Sequence, residues 1–431
     1  MKILFAFLAL LLAAAPARAR DLNAAAAEAA RQVAAEPGGL PELFDKTFFR
    51  HISLEELRGL FAGLYAGHGA VERVVLVSSA AASGHFFFDT DKGYRIPAAL
   101  SVAPESGLIT GLFFQPAYLR NAALRSVRAD LAALPGRKGF LARRLGEKPE
   151  DLEELGGDEH FAVGPAFKLY VLGALVRAGV PWDRVFRLRE EDKSPPSGRL
   201  RAWPDGSPLT AHTLAALMLS ESDDTASDAL ITALGRRKLE DSLAALGDPD
   251  SARLRPFLKT SEMFKLKSDT AAALKYLNLP AAEKYRFLDA LAGAEPGPAK
   301  PQRSPFGVGK LGWFASPADL CRVMEWLERE GGTGALELLA LDPGLGAGAD
   351  FLYAGYRGGS EPGVLSATWL LKNDRSQWYC LSASWNDEKD PLDADRFSAL
   401  MREALAALAA ADRAPAAASA GRARPAGPPG P

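Results

Sequence analysis

Between Val74 and Phe114 the apolar residues come in short runs, Val74–Ser78, His85–Phe88, Tyr94–Val102 and Leu108–Phe114, cut by Ala-Ser-Gly, Asp-Lys-Gly and Pro-Glu-Ser-Gly. Runs of this length between turn-forming residues predict an antiparallel meander. Ahead of them, Asp21 to about Ala35 is alanine-rich and helical in composition, and Glu36-Pro37-Gly38-Gly39 stops it. A second helix is predicted over Leu54–Tyr65, with Ser53 as N-cap and Glu56 three residues later completing a capping box. Helices followed by a strand meander make a small α+β unit over residues 20–117.

The pattern then changes period. Tyr118 to about Leu134 reads as a linker helix over 118–135, closed by Pro135-Gly136, and a larger domain is expected over 136–412. Helical spacing is strongest at Lys168–Ala178 and at Leu209–Leu234, where Leu214, Leu217, Leu219 and Leu230 are among the apolar positions. Strand patterns return in Gly344–Asn386, notably Val364–Leu371 and Trp378–Ala383, with Lys372-Asn373-Asp374 as a hairpin turn. Phe397–Ala411 is a closing amphipathic helix, and the Ala/Pro/Gly-rich stretch 413–431 is expected to stay disordered. No internal repeat is present.

With 431 residues, 48% of them hydrophobic, the chain can bury a large core and divide into two or three domains. Its 51 basic and 53 acidic residues leave a net charge of −2, which gives no general attraction to nucleic acid or to an anionic membrane. Lys2, the apolar run from Ile3 to about Ala15 and Ala17-Arg18-Ala19 have the layout of a secretory leader cleaved after Ala19. That run is too short to span a bilayer, and no membrane anchor is expected elsewhere. Export to the periplasm or the medium would permit Cys321 and Cys380 to pair, but their helix and strand contexts read better as two separate buried thiols. The five histidines, His51, His68, His85, His160 and His212, show no metal-ligand spacing, and there is no phosphate loop or dinucleotide fingerprint, so no metal or cofactor is expected.

Three blocks carry candidate chemistry. Val163-Gly164-Pro165-Ala166-Phe167-Lys168-Leu169-Tyr170 opens a buried helix, with Lys168 one turn beyond Pro165. Met218-Leu219-Ser220-Glu221-Ser222-Asp223-Asp224-Thr225-Ala226 follows, and later Tyr356-Arg357-Gly358-Gly359-Ser360 opens a strand. In this order they resemble the S-x-x-K, S-D-N and K-T-G motifs of class A β-lactamases and penicillin-binding proteins. The resemblance spans about Gly136–Asp412 and implies an α+β, DD-peptidase-like domain with a five-stranded antiparallel sheet flanked by helices. By element order alone, the first unit looks like the cystatin-like or ketosteroid-isomerase-like domains that precede some β-lactamase-like domains, including those of clavulanic acid gene clusters.

What the resemblance implies is partly withdrawn by the residues themselves. Pro165 stands where the family has its nucleophilic serine; proline has neither a nucleophilic atom nor a backbone N–H, so one oxyanion-hole donor goes as well, the other coming from Ser360. Proline at a first helical turn is conformationally favourable, so the fold should accept it. Lys168 takes the place of the proton-accepting lysine, and Ser222 that of the residue relaying a proton to the leaving nitrogen, although Ser and Asp are common helix caps in any protein. Asp223 would anchor the loop. Asp224 replaces an asparagine that contacts substrate, removing two N–H donors. Arg357 and Gly359 keep the cation and the close-approach glycine of the third block, and arginine can clamp a carboxylate with two hydrogen bonds. The deacylating glutamate of the E-x-x-L-N string is missing: Leu277-Asn278 supplies its ending, but Leu274 stands in the glutamate's place and Glu262 is only a remote candidate.

Two readings follow. In one the protein is a pseudoenzyme of the serine hydrolase family that binds a ligand or partner, with a β-lactam antibiotic, an ester or a peptidoglycan-like molecule as the ligand class. In the other it is an active hydrolase of β-lactams, other cyclic amides or esters, using Ser222 or Ser360 with Lys168. Serine and proline codons can differ by one base, yet the departures at Asp224 and Arg357 are separate from Pro165 and point the same way. The leader carries its own test: N-terminal sequencing of secreted material should read from Arg20, and an intact Met1 on a membrane-embedded product would contradict it.

Overall fold

The computed structural model describes residues 21–292 and 304–411. The expected leader and the tail from 413 lie outside them. Two compact units divide at Ala117/Tyr118. Among the described residues no helix is long and apolar enough to cross a membrane.

In the first unit, α1 (Leu22–Arg31) turns Ala25, Ala26, Ala29 and Ala30 inward, small side chains that let its backbone lie close to the sheet. The second predicted helix forms as α2 (Leu54–His68), with both hydrogen bonds of the Ser53/Glu56 capping box present. The meander is β1 (Val71–Ala80), β2 (Ser83–Thr90), β3 (Tyr94–Val102) and β4 (Ile109–Phe114), antiparallel and in chain order. Phe86, Phe88, Ile96, Ala98 and Leu100 pack with Leu57 and Phe61 of α2 in one core. Opposite one another in the β2–β3 register, Asp89 and Arg95 make a buried two-point ion pair at 2.6 and 3.0 Å. Such a pair holds one register, because a shift would strand two charges. β1 lies at the edge, is largely exposed, and carries register shifts after Val71 and after Leu76.

In the second unit the expected linker helix is shorter: α3 covers only Leu124–Ala132, and Tyr118–Leu119 is extended. Among the described strands, five form an antiparallel sheet as the resemblance implies. They are β5 (Arg137–Arg144), β6 (Glu150–Leu155), β7 (Tyr353–Glu361), β8 (Val364–Lys372) and β9 (Trp378–Asn386), in spatial order β7-β8-β9-β5-β6. Alternate side chains enter two cores. Trp369, Leu371 and Leu381 join α3 and the closing helix Ala394–Ala411 on one face, while Leu370, Cys380 and Leu141 join the larger helical layer on the other. That double burial is why β8 is buried from Val364 to Leu371 and shows no alternation of exposed positions.

Two expectations fail in the helical layer. Leu209–Leu234 is not one helix: Ala211–Ser220 and Asp224–Leu234 are separate, broken where Ser222 takes a left-handed φ of 53°. Its apolar positions resume at Ala226 after the polar run Ser220–Thr225, within which Asp223 caps the second helix by accepting from the Ala226 amide at 2.9 Å, a local bond that competes with continued helix. The cap is therefore Asp223 and not Ser222. Cys321 and Cys380 are not separate thiols but a disulfide, with Cα atoms 5.6 Å apart. The helix Pro317–Glu330 lies across the sheet face and brings Cys321 onto β9, a long-range contact that neither local pattern reveals. Closing a loop between residues 59 apart, the bridge should add about 2–4 kcal/mol. Urea unfolding of Cys321→Ala/Cys380→Ala against the oxidised protein is expected to show that loss.

Candidate active site

The site grows from the turn Gly164–Phe167, a 3₁₀ segment running into the helix α4 (Lys168–Arg177). Pro165 suits this turn because its fixed φ matches a first helical turn and no N–H is needed there. β7 packs against the same turn. A Cβ on Gly359 would stand 2.0 Å from the Val163 carbonyl oxygen and 3.1 Å from the Ala166 amide nitrogen, so only glycine fits this approach. Ser366 on β8 fastens the turn from behind, donating to the Val163 carbonyl at 2.7 Å.

Lys168 is fully buried, and its ammonium is held at three points: the Ser222 carbonyl at 2.7 Å, Asp224 Oδ1 at 2.9 Å and Ser222 Oγ at 3.1 Å. The left-handed backbone at Ser222 turns carbonyl and hydroxyl to the same ammonium. Asp224 is fixed in turn by the Ser197 amide on Oδ2 at 3.1 Å. Asp223, the expected loop anchor, accepts from the amides of Leu200 and Ala226, each at 2.9 Å.

Arg357 closes the cluster. Its guanidinium donates to the Pro165 carbonyl at 3.1 Å, the Leu219 carbonyl at 2.7 Å and Ser222 Oγ, with the residue only 6% exposed. The arginine expected to clamp a carboxylate from outside is thus turned inward, tying together the three segments of the site. Ser360 follows on β7: the residue is exposed, and its backbone nitrogen comes within 3.6 Å of where a Cβ on Gly164 would stand. The structure therefore brings Lys168, Ser222, Asp224 and Arg357 together and packs Gly359 against the Pro165 turn, with Ser360 next to it on β7. Glu262, the remote candidate, is committed elsewhere: it pairs with Arg236 and accepts from the Lys259 amide at 2.8 Å.

Burial governs the charges. Desolvation pulls Lys168 down to about 8 against the pull of Asp224, with Arg357 adding repulsion. The same desolvation raises Asp224 despite Lys168, and lowers Arg357 to about 10. Since Lys168 ordinarily titrates at 10.5, the unfolded chain binds more protons than the folded one between about pH 8 and 10.5. Stability from this group therefore rises with pH across that window. One participant escaped the sequence reading. Asp228, one turn after Asp224 on the same helix, is fully buried and accepts from the first amides of the helix Thr260–Ser268, Thr260 at 2.7 Å and Ser261 at 2.9 Å. A second carboxylate one turn after Asp224 on the same helix was the available signal.

Removing one partner of a buried ion pair strands the other, at a cost of about 3–5 kcal/mol. Lys168→Met is expected to lose that much in urea unfolding, and Lys168→Met/Asp224→Asn to recover most of it. Equal losses in both variants would mean that Asp224 is not the charge Lys168 compensates.

Comparison with solved structures gives similar chains at low identity. PBP-A is 17% identical with a TM-score of 0.46, over 67% of this chain and 95% of that one. A β-lactamase from Sphaerobacter thermophilus is 20% identical, also at 0.46, over 67% and 94%. A β-lactamase from Francisella tularensis is 14% identical at 0.45, over 67% and 98%. No curated protein matches the chain. Over residues 122–329, which hold the Pro165 turn, Lys168 and the helix break at Ser222, the chain matches the model of the Beta-lactamase enzyme family.

Proposed function

We propose that the second unit is a β-lactamase-type domain that has lost serine acyl transfer and binds a small ligand or a partner. β-Lactams, esters and peptidoglycan-like molecules are the class its cleft would take. One observation carries this reading: the residue one turn ahead of the buried Lys168, on the turn that Arg357 and Gly359 hold against β7, is Pro165. A serine acyl transfer needs a hydroxyl there to attack, a base to receive its proton, and N–H groups to hold the oxyanion. Lys168 could receive a proton, since at about 8 it is partly neutral under mildly basic conditions. Pro165 supplies neither the hydroxyl nor the N–H. The absent donor alone removes about 10² to 10³ in rate.

A second reading rests on a different contact. Ser222 Oγ lies 3.1 Å from Lys168 Nζ and accepts from Arg357, so a lysine drawn down in pKa faces a hydroxyl whose alkoxide would be stabilised. Against it, the Ser222 carbonyl and Asp224 both favour the ammonium form of Lys168, which must shed its proton before it can act as a base. We read the first unit, two helices over a four-stranded meander, as a cystatin-like or ketosteroid-isomerase-like domain, and the whole as an exported protein.

Intact-mass analysis after exposure to several β-lactams and esters separates the readings. The natural protein is expected to stay unmodified and to hydrolyse a chromogenic cephalosporin at background rate. Pro165→Ser, which restores both hydroxyl and N–H, is expected to acylate slowly at residue 165 and to deacylate poorly, for want of a glutamate in the deacylating place. A stable adduct on the natural chain at Ser222 or Ser360 would replace the binding reading with the hydrolytic one.

A further inference from the structure

Helix α4 has a second buried polar group that the site above does not use. Tyr170 follows Lys168 by two residues, so it points from the opposite side of the helix. Its hydroxyl is buried, has no hydrogen-bond partner, and lies within electrostatic reach of Asp248, Asp319 and Arg322. Beside it His160, Asp248 and Asp319 come from three segments distant in the chain, yet each offers a ligand atom within 4.8 Å of the others. Asp248 is only 1% exposed, and neither carboxylate oxygen has a partner in hydrogen-bond geometry, although the Asp250 amide lends the group some stabilisation. The buried Nε2 of His160 also has no hydrogen-bond partner, and lies 3.5 Å from Asp319 Oδ2.

Unpaired polar groups in a protein interior are costly, and carboxylates most of all, so a cluster left in this state needs an occupant or a proton. Its surroundings are built to hold position. Asp319 accepts from the Ser316 amide at 2.8 Å and the Ser316 hydroxyl at 2.7 Å, and pairs with Arg322 on its other oxygen. Arg322 also donates to the Gly247 carbonyl at 2.6 Å. Gly247, at a φ of 96°, lies so close to the helix that a Cβ there would stand 2.3 Å from Arg322 Cβ, and this contact delivers Asp248 to the cluster.

We propose that His160, Asp248 and Asp319 bind one divalent first-row transition cation, of which Zn²⁺ is the representative, with water completing the coordination. Tetrahedral Zn²⁺ with bonds of about 2.0–2.2 Å places its ligand atoms about 3.3–3.6 Å apart, and the His160–Asp319 separation of 3.5 Å already has that value. One imidazole with two carboxylates suits such a cation better than an all-oxygen site for Mg²⁺ or Ca²⁺ would. Ser316 and Arg322 act as the outer support that fixes a ligating carboxylate. The side chain of His160 is 18% exposed, which gives the ion a way in. The histidines showed no ligand spacing in sequence because each of the three ligands comes from a different segment. The bound cation would pin the chain before Phe161, the loop at Asp248 and the start of the helix Pro317–Glu330 to one point.

The test uses untagged mature protein, stripped with chelator and dialysed, with Zn²⁺ as the probe. Equilibrium dialysis with elemental analysis is expected to find one Zn²⁺ per chain, and Zn²⁺ to raise the melting temperature. Asp248→Asn and His160→Gln are close in shape to the originals, and circular dichroism checks that each folds. Each should weaken Zn²⁺ binding by at least about tenfold, since even outer-shell changes cost that much, and should abolish the thermal shift. Absence of stoichiometric binding, or unchanged affinity in both folded variants, overturns the site and leaves a carboxyl pair that shares a proton. Neither result depends on whether residue 165 is acylated.

Discussion

The second unit is organised around an ammonium buried out of reach of water. Lys168 cannot be hydrated where it lies, so its charge must be met by protein oxygens, and these come from the helix break at Ser222 and Asp224. Much else answers that requirement. The break must occur for the Ser222 carbonyl to face inward, Asp223 must cap the following helix, and Ser197 must hold Asp224 in place. Arg357 adds a second buried cation, which explains why the oxygens around it are so fully used. A lysine on the surface would impose none of these conditions.

Against that demanding cluster, Pro165 asks little. A first helical turn has no intrahelical partner for its N–H groups, so a residue without one loses nothing structurally. The backbone oxygen of Pro165 serves the fold through Arg357. In the proposed reading, folding and acyl transfer depend on different atoms of the same turn.

Features set by local chemistry were legible in the sequence. Ser53 and Glu56 announced their capping box, the meander followed from turn residues between short apolar runs, and the three motif blocks pointed to residues that meet in space. What stayed hidden was decided at long range or by competition between equal local signals. The Leu209–Leu234 segment has helical apolar spacing on both sides of the polar run Ser220–Thr225, and the cap at Asp223 divides it there. Cys321 and Cys380 belong to a helix and a strand whose crossing no periodicity encodes. Nothing local shows that Arg357 turns inward to the carbonyls of Pro165 and Leu219, which come from distant segments. Asp228 looked like any polar residue on an amphipathic helix until Thr260 and Ser261 came to it.

The irregular β1 of the first unit bears on a different problem. An exposed strand at the end of a sheet offers a ladder of free backbone groups on which another chain can crystallise as a further strand, the first step toward fibrous aggregation. β1 is such a strand by position, but its two register shifts kink the ladder, and Glu72 and Arg73 put charge at the first of them. A bulge leaves a residue unpaired and sharpens the local twist, so a flat incoming strand finds no continuous run to match. At the concentrations reached by an accumulating protein, these two irregularities favour a soluble chain over a growing sheet.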